Sequence, residues 1–156
     1  VLLNNELDDF TAAPGASNAY GLVGFAANLP APGKRPLSSM SPTILLKDGK
    51  PVLVTGSPGG SRIISAVLQV IVDVIDYRMN VADAVAAPRL HHQWLPDEVR
   101  VEGGFPEATL DTLRAMGHRI VTPLGQTSAN SILIDADGFH GAPRSPARGA
   151  RRRRGN

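Results

Sequence analysis

Two short loops flank one predicted hairpin, and their residue types suit an anion. The first, Pro36-Leu37-Ser38-Ser39-Met40-Ser41-Pro42-Thr43, offers several hydroxyls in a row. The second, Thr55-Gly56-Ser57-Pro58-Gly59-Gly60-Ser61-Arg62, offers backbone N–H groups at a predicted helix start. Gly59 and Gly60 let bare backbone approach a ligand, and the helix dipole adds positive potential. Such a turn can hold a carboxylate, a phosphate or the oxyanion of acyl transfer. By pattern alone, a plain glycine-rich strand-to-helix turn is the more economical reading. No Gly-Lys-Ser/Thr closes it, so it is not a P-loop, and it is not a GxGxxG fingerprint. Ser38, Ser39 and Ser41 can bind a carboxylate or simply cap a turn. Neither Ser-x-x-Lys nor Gly-x-Ser-x-Gly is present, so a serine nucleophile has no support.

A third group of chemical interest is Asn4-Asn5-Glu6-Leu7-Asp8-Asp9-Phe10. Its carboxylates suit a cationic amine, a metal or acid–base work, or they form a solvated acidic loop. Leu7 and Phe10 predict that it packs on something. His91 and His92 precede Gln93-Trp94, but adjacent histidines rarely point the same way and no HExxH spacing is present. A structural role is expected for the pair, with Trp94 as a packing anchor.

The totals bound the answer. At 156 residues the chain is one domain or part of one, with 42% hydrophobic and 4% aromatic residues, so its core is built from Val, Ile, Leu and Ala. It has no cysteine, which excludes disulfides and thiolate chemistry without fixing a compartment. No secretory signal and no stretch long and apolar enough to cross a bilayer is visible. The net charge of +2 is produced by the end of the chain. Six of 16 basic residues are Arg144, Arg148 and Arg151 to Arg154, and the body before them carries 10 basic against 14 acidic side chains, a balance of −4. A basic nucleic-acid surface is therefore not a property of the body, and the Arg-rich end reads as disordered.

The elements that position these loops follow from pattern. Residues 1–42 lack periodicity and read as a long, loop-dominated segment. Thr43 to Leu46 and Pro51 to Thr55 form a hairpin around Asp48-Gly49. Ser61 to Tyr77 is a helix with Ser61 as N-cap, and its apolar residues cover most of the circumference, which predicts a largely buried helix. Arg62, Ser65, Gln69, Asp73 and Asp76 form its one narrow polar stripe. Asn80 caps an Ala-rich helix ending before Pro88. Glu98 to Glu102 is a strand, Pro106 to Met116 a helix closed by Gly117, and His118 to Val121 a strand. Ser131 to Ile134 pairs with Phe139 to Ala142 across Asp137-Gly138.

The order of these motifs, from Asn4-Asn5-Glu6-Leu7-Asp8-Asp9-Phe10 through Tyr20-Gly21-Leu22-Val23, Lys34 to Thr43 and Thr55 to Arg62 to Ala87-Pro88-Arg89-Leu90-His91-His92-Gln93-Trp94-Leu95-Pro96, strongly resembles the gamma-glutamyltransferase (glutathione hydrolase) family. The resemblance covers residues 2 to about 142. It implies an N-terminal-nucleophile hydrolase of layered α/β class, part of a four-layer αββα sandwich, and most of a small subunit cut from a precursor. Residues 1–142 are then the C-terminal part of that subunit and 143–156 a disordered Arg/Pro-rich tail, which departs from the family's ending. The resemblance implies that an N-terminal threonine attacks a gamma-glutamyl amide, and that the acyl group passes to water or an amine. Glu6 and Asp9 would grip the substrate's ammonium, Ser38 and Ser39 its α-carboxylate, and the amides of Gly59 and Gly60 would form the oxyanion hole. No role is assigned to Asn5. Val1 has no nucleophilic side chain, so the implied threonine lies upstream and the isolated chain is expected to be inactive. The implied partner is the large subunit, which supplies an arginine for the substrate carboxylate. No metal or other cofactor is implied, and export to the periplasm or outside is. Two rivals stand: a cephalosporin-acylase-like amidohydrolase, and an anion- or nucleic-acid-binding module using the Arg-rich end.

Overall fold

The computed structural model describes residues 5–124 and 127–144. Its centre is a four-stranded antiparallel sheet in the order β1-β2-β6-β7. Strands β1 (Thr43–Lys47) and β2 (Lys50–Gly56) form the expected hairpin. Asp48 and Gly49 both take positive φ, 52° and 76°, as a tight two-residue turn demands. Strands β6 (Ala129–Asp135) and β7 (Gly138–Arg144) form the second hairpin. There Asp135 pairs with Gly138, so Ala136-Asp137 is the tip and the predicted turn shifts by one residue. Strand β7 also runs through Pro143 and Arg144, two residues past its predicted end. The remainder of the Arg-rich end lies outside the described residues.

Pleating sorts this sheet into two faces. Leu45, Leu53 and Leu133 are cross-strand partners on one face, and there Leu53 and Ala129 are fully buried. Against them pack helices α1 (Arg62–Ile75) and α2 (Val81–Ala86) through Val70, Val74, Val81, Ala84 and Val85. The opposite face carries the row Ile44, Val54 and Ile132, with Ile44 63% and Ile132 41% exposed. This sheet with α1 and α2 thus forms one helix layer and one sheet of the expected sandwich.

Helix α1 is less buried than its composition predicts. Ile63, Ala66, Val67, Val70 and Val74 face the core, while Ile64 and Leu68 are 55% and 57% exposed. A helix packed on one sheet can bury only one face. Its polar stripe is also not left to solvent. Strands β3 (Leu90–His91), β4 (Val99–Val101) and β5 (Ile120–Val121) form a small second sheet, and α1 docks onto β3 through that stripe. Gln69 Nε2 donates to Leu90 O at 2.8 Å and Leu90 N donates to Gln69 Oε1 at 3.0 Å, as a neighbouring strand would. Helix α3 (Glu107–Ala115) covers the small sheet through Leu110, and Gly117, at φ 95°, ends it as expected. Beneath lies a buried polar cluster in which Glu102 accepts from Arg89 N and from Thr127 N and Oγ1.

Asn80 caps α2 as predicted, accepting from Asp83 N at 2.9 Å. Ser61 does not cap α1: its own backbone is already helical, and its hydroxyl is engaged elsewhere. Residues 5–42 form a loop-rich arm with 3-10 turns at Glu6–Asp9 and Ala26–Asn28 and a bridge between Ser17 and Val23.

Candidate functional site

The arm folds around a cleft of about 980 Å³, lined mostly by residues 7–37 and closed by Gln93, Trp94 and Leu95. Asp9 lines it, and Leu37 forms part of its wall immediately before Ser38. Glu6, Ser38, Ser39, Gly59 and Gly60 are outside its lining. The structure therefore brings the acidic turn and the start of the hydroxyl loop to the same cleft, with the glycine turn reached through other residues.

Two side-chain amides make the connections. Asn28 Nδ2 donates to Asp9 O at 2.7 Å, and Asn28 Oδ1 accepts from Leu37 N at 3.0 Å. One planar group thus spans the acidic turn and the hydroxyl loop. Gln93 does the same for the glycine turn: its Oε1 accepts from Ser61 Oγ at 2.9 Å, and its Nε2 donates to Tyr20 O at 3.1 Å and Leu95 O at 3.2 Å. Neither amide was singled out by sequence reasoning. The bonds that join separate loops, to Leu37, Asp9, Ser61 and Tyr20, span 9 to 73 residues, and no periodicity or short motif records them.

At the hydroxyl loop, Ser38 Oγ accepts from Met40 N at 3.2 Å, which leaves its O–H hydrogen to donate outward. The turn-capping and anion-binding readings of Ser38 are thus compatible. Ser39 Oγ has no protein partner among the described residues, and the carboxylate of Asp9 has none either. At the glycine turn, Gly59 and Gly60 take φ of 134° and 57°. Their carbonyls accept from Arg62 N and Ile63 N, while among the described residues neither of their amides donates to a protein acceptor. Two adjacent N–H groups remain for an anion at the start of a 14-residue helix. The Tyr20 ring lies directly over Gly60, and the Arg62 guanidinium sits 6.0 Å from that ring's centroid. Ser57 Oγ donates to Ser128 O and ties the turn to the segment entering β6.

His91 supports this turn from below. Gln93 Oε1 can only accept, so neutral His91 carries its proton on Nε2 and donates at 2.8 Å, and Nδ1 accepts from Ser65 Oγ at 2.8 Å. Burial pushes the His91 pKa below its ordinary value; the Gln93 hydrogen bond opposes that shift, and nearby Arg62, His92 and Arg100 add to it. His92 points away and bonds Asp97 Oδ1 at 3.0 Å. The structural expectation for the pair fits this geometry. Trp94 does not anchor a core: it is 67% exposed, with φ 70°, and lines the cleft. The tight loop, bonded through Trp94 N to His92 Nδ1, turns the indole outward. Among the described residues no group of three His, Asp or Glu side chains could hold a metal ion.

By chemistry alone, the Asp9 carboxylate suits a cation, while the Ser38 hydroxyl and the Gly59 and Gly60 amides suit an anion. The sequence profile of the family described as gamma-glutamyltranspeptidase matches residues 1–152. The chain belongs to the gamma-glutamyltranspeptidase family. It is 60% identical over 148 residues to the glutathione hydrolase proenzyme of Escherichia coli strain K12, covering 93% of this chain and 26% of that protein. The chain thus spans about a quarter of the length of that curated relative. Among solved structures, the Helicobacter pylori gamma-glutamyltranspeptidase T380A mutant superposes with a TM-score of 0.85 at 54% identity, covering 93% of this chain and 81% of that one. The cephalosporin acylase of Bacillus halodurans is more distant, with a TM-score of 0.69 and 28% identity over 76% of this chain and 23% of that one. The fold is therefore that of the gamma-glutamyltranspeptidase family.

Proposed function

We propose that the parent of this chain cleaves the gamma-glutamyl amide of glutathione and related compounds, forming a gamma-glutamyl-enzyme that passes its acyl group to water or an amine. The carrying observation is the pair of unengaged amides at Gly59 and Gly60, at the start of α1. In this reading they receive the oxyanion of the attacked carbonyl. Glu6 and Asp9 receive the substrate ammonium by charge complementarity, and Ser38 and Ser39 donate to its α-carboxylate. A threonine N-terminal to this segment attacks, so the segment alone turns over no substrate. A large subunit of the same precursor supplies an arginine to the carboxylate and covers the open row Ile44, Val54 and Ile132. Export of the parent belongs to the same proposal. Among the described residues no helix is long and apolar enough to cross a membrane.

Steady-state kinetics of the intact parent test the reading. Asp9→Ala should raise KM for a gamma-glutamyl anilide roughly 10- to 100-fold, as loss of a charged hydrogen bond implies. Unchanged KM and kcat would rule out the ammonium role. The likeness to a cephalosporin acylase favours one rival, a glutaryl substrate without the ammonium. Faster turnover of a glutaryl anilide than of the gamma-glutamyl one would select it.

A further inference from the structure

We propose that Asn28 is a positioning residue that sets the spacing between the ammonium-binding and carboxylate-binding walls; this rests on the head-group reading of the site given above. The ammonium and α-carboxylate of an amino-acid head group are attached to one carbon, so their distance is invariant. Two walls that recognise them together must be held at a matching separation. The acidic turn and the hydroxyl loop are distant in sequence, and both belong to an arm with little regular structure. Asn28 fixes one against the other, with Nδ2 on Asp9 O at 2.7 Å and Oδ1 on Leu37 N at 3.0 Å. Its backbone is held as well, since Thr11 N donates to Asn28 O at 3.0 Å and Asn28 N donates to Phe25 O at 3.0 Å. Lys34 steadies the same turn by donating from Nζ to Ala27 O at 2.6 Å and Leu29 O at 2.9 Å. A carboxamide is the smallest side chain that presents a donor and an acceptor on one rigid plane. It touches no reacting atom, and its effect runs through the backbone of Asp9 and of the residue before Ser38.

The test uses the intact parent and three competitive probes: L-glutamate, with both head groups; glutarate, lacking the ammonium; and 4-aminobutyrate, lacking the α-carboxylate. Asn28→Ala should weaken L-glutamate on the order of tenfold, while glutarate and 4-aminobutyrate change by less than about threefold. A residue that only stabilises the fold would weaken all three alike, and that result overturns the proposal, as does unaltered L-glutamate binding. Asn28→Asp keeps the bond from Leu37 and deletes the donor to Asp9. It should show the same selective loss, and it decides the matter if the alanine variant does not mature. If neither variant matures, Asn28 serves the fold and the proposal is wrong. The underlying reading fails separately: an unaltered parent that binds L-glutamate no better than glutarate and 4-aminobutyrate has no amino-acid head-group site.

Discussion

A methyl group added at Gly60 would stand 2.5 Å from Tyr20 Cε2, and the backbone there has φ 57°. Alanine meets both a clash and a left-handed backbone costing about 1–2 kcal/mol. Relief re-aims the amides of Gly59 and Gly60. Gly60→Ala in the parent should lower kcat at least about tenfold, since losing one well-aimed oxyanion donor costs on the order of 100-fold or more. Adding Tyr20→Ala removes the clash but not the backbone strain, so the double variant should recover kcat only partly. A Gly60→Ala enzyme with full kcat would remove the oxyanion role. The same residue scale shows what was legible in the sequence. The Asp48-Gly49 turn and the Asn80 cap were readable because their partners lie within three residues. Ser61 was misread as a cap because its hydroxyl serves Gln93, 32 residues on. Asn28, and the bonds of Gln93 to Ser61 and Tyr20, stayed invisible for the same reason: a single amide bonded across a long stretch of chain leaves no pattern.

At the scale of elements, the informative junction is between α1 and β3. Helical spacing foretold one polar stripe but not that Ser65 and Gln69 would meet His91 and the Leu90 backbone. Strand β3 is two residues long, too short for alternation to announce it. This junction carries a pH signature. His91 is buried and neutral, with its pKa held below the ordinary 6.5. The unfolded chain therefore takes up a proton first as pH falls. The stability this histidine contributes is complete above about pH 6.5 and declines below it, until the folded-state pKa is reached. His91→Gln removes the titration. The difference in Tm between the unaltered parent and this variant should thus shrink steadily from pH 7 to pH 5. A difference flat across that window would show that burial does not control His91. The contacts of His92 with Asp97 and of His140 with Asp135 are common to both proteins.

At the scale of the molecule, one sheet has two unlike surroundings. Its first face is closed by α1 and α2, while the second presents Ile44, Val54 and Ile132 in one cross-strand row. An antiparallel sheet with one face in water normally carries polar side chains there. Branched apolar residues in that position are the inner face of a two-sheet core, as the αββα architecture requires. Sequence alternation along β1 and β2 did not separate the two faces, because both are apolar. The consequence is testable by charge. Glutamate at 132 would have to be buried, unpaired, between two sheets of the assembled parent, at a cost of several kcal/mol. Ile132→Glu should therefore sharply reduce the yield of assembled, active parent in size-exclusion chromatography. Ala82→Glu, which places the same charge on the exposed side of α2, should leave that yield within about 20% of the unaltered protein, as surface substitutions do. Equal yields from the two variants would mean that no second sheet covers this row. A loss confined to Ile132→Glu would place the covering layer on the face opposite α1 and α2.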